Sequence, residues 1–225
     1  MNKKITNIQR QQKYKILIVD DHPIVRKGLT QLINQEEDLL VSGEAEDSHS
    51  ALEILKKIKP DLAIIDISLK GIDGIELIKK IKERYQDIPM LVVSMHDESL
   101  FAERALRAGA RGYIMKQEAI ERMLEAIRKV IRGELYISED VSANIVKKFI
   151  DSKHSEKNSP MEILSDRELE VFNLIGQGYR TRQIADTLRV SVKTVDSYRA
   201  NIKEKLNLKS STELLKHAIH WVDGK

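Results

Sequence analysis

Residues 60–74 read Pro60-Asp-Leu-Ala-Ile-Ile-Asp66-Ile-Ser-Leu-Lys-Gly-Ile-Asp-Gly74. The run Leu62 to Ile65 is too short for a helix and has no polar residue at alternate positions. It stops at a carboxylate, and a glycine-containing turn follows. A strand with one wet face alternates apolar and polar residues, whereas a strand covered on both faces does not. The stretch therefore predicts an inner strand of a parallel sheet, with Asp66 at its C-terminal end. Working outward, similar runs occur at Lys15-Ile-Leu-Ile-Val-Asp20, Leu40-Val41, Met90-Leu-Val-Val-Ser94 and Gly112-Tyr-Ile-Met115. Helical patterns lie between them. Val25, Leu29, Leu32 and Ile33 share one face behind Pro23, and Ile120, Met123, Leu124, Ile127 and Ile131 form a second stripe. Five strands alternating with five helices predict a doubly wound α/β domain over residues 14–132.

The chain has 225 residues, 41% of them hydrophobic, enough for two ordinary domains with buried cores. It has no cysteine, which excludes a disulfide framework, a thiol nucleophile and a cysteine-bound zinc. The start, MNKKITNIQRQQK, is basic and polar. It does not read as a secretory signal, and residues 1–13 are expected to be a flexible solvated arm, with DNA contact as the alternative. No stretch approaches membrane-spanning length, so a cytoplasmic protein is expected. Residues 133–160 read as a linker with a possible short helix, ending in the polar stretch DSKHSEKNSP. From residue 161 to 225 the pattern is helical only, which predicts a second, smaller all-α domain.

In a doubly wound sheet, chemistry gathers beyond the C-terminal ends of the strands. Asp20 and Asp21 end the first strand, Asp66 the third, Ser94 the fourth and Lys116 the fifth. Crowded carboxylates repel one another unless a cation sits among them. Oxygen ligands at a wet sheet edge suit Mg²⁺, which keeps several waters and accepts phosphate oxygens. A hydroxyl and an ammonium nearby complete a site for phosphoryl transfer onto a carboxylate. Any one of these residues alone reads more simply as a cap, a turn or a surface charge. Their joint order across the alternation is what singles them out.

With these residues in place, the first half resembles the receiver domain of two-component response regulators. The likeness rests on Asp20-Asp21, on PDLAIIDISLKGIDG, on VVSMHDE around Ser94 and on GARGYIMK ending at Lys116. It implies a flavodoxin-like fold in which Asp66 accepts a phosphoryl group from a phosphohistidine of a sensor histidine kinase. It further implies that Asp21, Asp66 and the backbone carbonyl of Ser68 bind Mg²⁺ directly, with Asp20 acting through water. Ser94 would hydrogen-bond the phosphoryl group, Lys116 would pair with it, and Tyr113 would be the switch aromatic. Two residues depart from the pattern. Lys70 stands where proline is usual. Met95 follows Ser94 where a small residue is common, and it is expected to restrict access by water.

In the second half, Ser165 and Glu168 have capping-box spacing, Thr181 and Ser191 are placed to cap the next helices, and Gly176 and Gly178 end the first. Between Gly178 and Lys209 lie eight basic residues against three acidic ones, an excess of five where the whole chain carries +3. Such a segment suits a phosphate backbone. On the helix after Ser191, Val195, Tyr198, Ile202 and Leu206 form the inner stripe, while Lys193, Ser197, Ala200 and Asn201 point away, with Asp196 at the edge. The last helix, about Ser210 to Val222, shows Leu215, Ala218, Ile219 and Val222 as its apolar face.

LSDRELEVFNLIGQGYRTRQIADTLRVSVKTVDSYRANIKEKLNLKS, residues 164–210, resembles the LuxR-type helix-turn-helix of the NarL/FixJ group of response regulators. The resemblance implies that the helix from Ser191 to Leu206 reads a major groove. Candidate DNA contacts are Arg180, Thr181, Arg182, Lys193, Thr194, Asp196, Ser197, Arg199, Asn201 and Lys203. The last helix would serve dimerisation or be satisfied within the monomer. The expected function is a phosphorylation-controlled transcription regulator, dimeric when phosphorylated. It would not be an enzyme beyond promoting its own phosphorylation and dephosphorylation. Two alternatives stand beside it: a Mg²⁺-dependent phosphatase or phosphotransferase acting on a small molecule, and a DNA-binding regulator indifferent to phosphate.

Overall fold

The computed structural model describes residues 13–69, 74–95, 98–118, 120–150, 160–188 and 190–223. Residues 1–12 of the expected arm, 151–159 of the expected linker, Lys70 and Arg189 lie outside the described residues. The chain divides into two compact units, Met1–Ile150 and Asp151–Lys225.

In the first unit, β1 (Tyr14–Val19), β2 (Leu39–Ala45), β3 (Leu62–Ile65), β4 (Met90–Ser94) and β5 (Gly112–Met115) form one sheet in the order β2-β1-β3-β4-β5. Every pairing is parallel. The helices α1 (Pro23–Asn34), α2 (Ser48–Leu55), α3 (Gly74–Arg84), α4 (Glu98–Ala108) and α5 (Ile120–Ile131) make the crossovers. Ile16 to Val19 and Leu62 to Ile65 are fully or almost fully buried, as runs without alternation require. Ile16, Ile18, Ile33, Ile64, Val93, Ile114 and Ile127 belong to one core cluster.

β2 is longer than its apolar dipeptide suggested. It lies at the sheet edge and pairs only with β1, so Ser42 and Glu44 are tolerated within it. Ser42 is the extra residue of a bulge opposite Ile16 and Leu17, and its hydroxyl donates to the Ile16 carbonyl at 3.3 Å.

The segment after α5 stays with the first unit. Tyr136 takes the Tyr113 N–H on its carbonyl at 2.8 Å and donates its own N–H to Arg111 O at 3.0 Å. A short helix was expected somewhere in residues 133–160. It is α6 (Glu139–Ile150), which packs against α4, and Ser138 N–H donates to Glu98 Oε1 at 2.8 Å.

The second unit is helical: α7 (Pro160–Ile163), α8 (Asp166–Gly176), α9 (Thr181–Leu188), α10 (Val192–Lys205) and α11 (Ser211–Asp223). Ser165 and Glu168 form the expected capping box, and Ser191 caps α10 by accepting the Thr194 N–H. Leu169, Phe172, Ile175, Ile184, Val195, Ile202, Leu214 and Ala218 are buried. A Cβ on Gly176 would stand 2.4 Å from Ala218 O, so the backbones of α8 and α11 approach at the one residue without a side chain.

Two expectations are corrected here. Thr181 is the first residue of α9 rather than its cap, and Gln183 Oε1 takes the Arg180 N–H at 2.9 Å instead. The inward face of α11 is Leu214 and Ala218, with Trp221 tilted against Phe172 at 5.5 Å between ring centroids. Leu215 and Ile219, expected on that face, are exposed at 41% and 39%. An apolar pattern shows which residues avoid water, but the approach of α8 decides which of two apolar stripes is covered.

Candidate functional site

The side chains of the acidic pocket sit one residue past their strands, where the backbone ladder still holds. Asp20 N–H donates to Ala45 O at 3.1 Å, Asp66 N–H to Val19 O at 2.9 Å, and Lys116 N–H to Ser94 O at 2.8 Å. Parallel strands end at one edge, so this register brings distant residues together. Lys116 Nζ lies 2.6 Å from both Asp20 Oδ2 and Asp66 Oδ2. The other Asp66 oxygen takes the Ser68 N–H at 3.0 Å, and Asp20 Oδ1 takes the His22 N–H at 2.7 Å. A Cβ on Gly74 would meet Asp66 O at 2.2 Å, so the start of α3 can lie against the Asp66 backbone only as glycine.

Asp20 and Asp66 are each 2% exposed. Burial alone would lower the pKa of Lys116, but the Asp66 charge and the hydrogen bonds to both carboxylates outweigh it and hold the ammonium above its ordinary value. Two carboxylates meet one lysine and Asp21 lies in the same cluster, which leaves a negative excess suited to a divalent cation. Asp20, Asp21, His22 and Asp66 each offer a ligand atom within 4.8 Å of the others. Asp21 Oδ1 is buried without a hydrogen bond. His22 Nδ1 stands 2.7 Å from it, close enough for an ion pair but not in hydrogen-bonding geometry. A buried carboxylate oxygen lacking a donor suits a hard cation, so these residues fit Mg²⁺.

His22 was not among the residues read from sequence. It follows the acidic pair directly, but its ring enters the cluster only because α1 begins there. Ser94 is buried at the end of β4 and lies opposite Met115. Tyr113 is 1% exposed, so its ring lies inside. Met95, next to Ser94, is 55% exposed.

In the second unit, Val195 and Ile202 bury one side of α10, with Tyr198 and Leu206 half-buried. Lys193, Asp196, Ser197 and Asn201 are exposed, as are Arg180 and Arg182, while Thr181, Thr194, Arg199 and Lys203 are half-buried. Two hydroxyls are engaged locally. Thr194 Oγ1 is 2.7 Å from Ser191 Oγ, and Ser197 Oγ donates to Lys193 O at 3.0 Å. Lys205, counted in the basic segment, instead contacts buried Glu168 at 2.6 Å.

Residues 16–128 match the response regulator receiver domain family, and residues 162–218 match the luxR family of bacterial regulatory proteins. The chain belongs to the two-component response regulators that join a receiver to a LuxR-type DNA-binding domain, and it is a phosphorylation-controlled transcription regulator. It is similar to the oxygen regulatory protein NreC of Staphylococcus haemolyticus (strain JCSC1435), at 39% identity over 91% of this chain and 96% of the relative. The NreC of Staphylococcus carnosus (strain TM300) is 38% identical over the same shares. Among solved structures, RcsB from Salmonella enterica serovar Typhimurium, bound to promoter rprA with the phosphomimetic BeF3-, is 29% identical with a TM-score of 0.58. That likeness covers 92% of this chain and 99% of the other.

Proposed function

We propose that Asp66 is the phosphoacceptor of a receiver domain over residues 14–132. Residues 133–160 would connect it to a DNA-binding domain over 161–225. The single observation carrying this reading is the convergence of Asp20, Asp66 and Lys116 within 2.6 Å contacts beside an Asp21 oxygen that accepts no hydrogen bond. Asp66 attacks the phosphorus of a sensor kinase phosphohistidine, the P–N bond breaks, and the imidazole leaves. Asp21, Asp66 and the Ser68 carbonyl would hold Mg²⁺, with Asp20 assisting through water. When bound, the ion neutralises charge on the phosphoryl oxygens. Lys116 moves from Asp66 Oδ2 to a phosphoryl oxygen, Ser94 donates a hydrogen bond from its hydroxyl, and Tyr113 serves as the switch aromatic, its ring held inward when Ser94 is drawn to the phosphate.

The same pocket promotes acquisition and loss of its own phosphate and turns over no separate substrate. Phosphorylation shifts a two-state equilibrium toward a homodimer that binds double-stranded DNA. The RcsB complexes with DNA support that outcome by likeness. Arg180, Thr181, Arg182, Arg199 and Lys203 approach phosphates, while Lys193, Thr194, Asp196, Ser197 and Asn201 face the groove. The protein acts in the cytoplasm, in keeping with the absence of a helix long and apolar enough to cross a membrane among the described residues.

The test is phosphorylation by acetyl phosphate with Mg²⁺, read by intact mass. Wild type gains one phosphoryl group and Asp66→Asn gains none. Full phosphorylation of Asp66→Asn would refute the assignment.

A further inference from the structure

α10 carries an acidic residue that the fold does not use. Asp196 is exposed, lies five residues into a fourteen-residue helix, and its side chain makes no hydrogen bond or ion pair among the described residues. Lys193 and Arg199 lie one turn away on either side, yet neither pairs with it. Asp196 is too far along to cap the helix, since Ser191 does that. It is also beyond the first turn, where a carboxylate gains from the helix dipole. Aspartate is among the poorer helix formers. Neither capping, dipole, pairing nor propensity accounts for it.

Its position is equally specific. Taking about 100° per residue, Asp196 lies roughly 110° from the centre of the buried stripe, on the border of the outward face. It stands in a segment with a basic excess of five, where a carboxylate weakens attraction to any phosphate. An acid on a DNA-facing helix is favoured where it meets a donor. In the major groove the donors are the exocyclic amino groups of cytosine and adenine. Adenine presents its N7 acceptor beside the amino group, which repels a carboxylate, whereas cytosine presents its amino donor alone.

We propose that Asp196 is a specificity-determining residue, accepting a hydrogen bond from the N4 amino group of one cytosine in each half-site. It excludes guanine and thymine there because their groove edges offer acceptors. It also lowers binding to DNA at large. This rests on α10 being the helix that enters the groove.

The test is selection from a randomised duplex pool by the full chain with Mg²⁺ and acetyl phosphate. Wild type, Asp196→Ala, Asp196→Asn and Lys193→Ala are compared. Wild type is expected to select a C·G pair that Asp196→Ala no longer distinguishes, with about a tenfold loss of preference at that position alone. Asp196→Ala is also expected to bind the unselected pool more tightly. Asp196→Asn should shift the position toward adenine, because an amide can bond both adenine N6 and N7. If both Asp196 variants keep every wild-type preference while Lys193→Ala loses one, the assignment of Asp196 is overturned and the reading of α10 stands. If no variant changes any position, or wild type enriches no sequence, both are overturned.

Discussion

Lys116 shows how one side chain can hold an acidic pocket together. Its ammonium occupies the space between Asp20 and Asp66 that a cation or phosphoryl oxygen would otherwise contest. Removing it leaves like charges buried together, an arrangement that favours binding of any replacement cation. Lys116→Met is therefore expected to be stabilised more by Mg²⁺ than wild type, as a larger rise in thermal midpoint across a Mg²⁺ titration. An equal rise in both would show that Lys116 does not compete with the ion. His22 teaches the complementary lesson. Its place among three carboxylates was not legible, because nothing in the spacing of a histidine after two aspartates says where its ring turns. The carboxylates themselves were legible, since they end strands whose burial is written in their apolar runs.

At the scale of elements, the start of α8 is held by more than its capping box. Glu168 Oε2 takes the Ser165 N–H at 2.8 Å and also meets Lys205 Nζ at 2.6 Å, which ties α8 to the end of α10. Burial pushes the Glu168 pKa up, but Lys205 and the Ser165 hydrogen bonds outweigh it and hold the carboxyl below its ordinary 4.5. A depressed folded pKa means that this contribution is present above the unfolded value and is lost as pH falls through the folded one. Glu168→Gln is thus expected to lower the thermal midpoint near neutrality, with the gap to wild type closing as pH drops below about 4.5. A gap that stays constant with pH would contradict this origin. Ser165→Ala should cost about 1 kcal/mol in chemical denaturation, the usual loss for an N-cap. The capping box was readable from Ser165 and Glu168 alone, but Lys205 was not, because it lies 37 residues away and reads as one more phosphate contact.

For the whole molecule, the outward stripe of α11 bears on assembly. Leu214 and Ala218 already satisfy α8, so Leu215 and Ile219 are left partly exposed, at 41% and 39%. Paired on a two-part DNA site, they would bury that stripe against a second copy. Leu215→Glu is expected to leave the thermal midpoint within about 0.5 kcal/mol of wild type, as surface changes do. It should also abolish cooperative binding to adjacent half-sites in a mobility-shift titration. Retained cooperativity would place the dimer contact elsewhere.

The sequence by itself determined the class of fold, the strand-end residues of the pocket and the inner stripe of α10. Each follows from local patterns: unbroken branched runs mark strands covered on both faces, and a 3.6-residue repeat marks a half-buried helix. The tertiary structure alone decided four things: the length of β2, the pairing of Tyr136 with β5, the seat of α6 on α4, and which apolar stripe of α11 faces inward. All four depend on backbone approaches between segments far apart in the chain, such as Gly176 against Ala218. Periodicity records what each segment can bury, whereas the partner that buries it is chosen only when the segments meet.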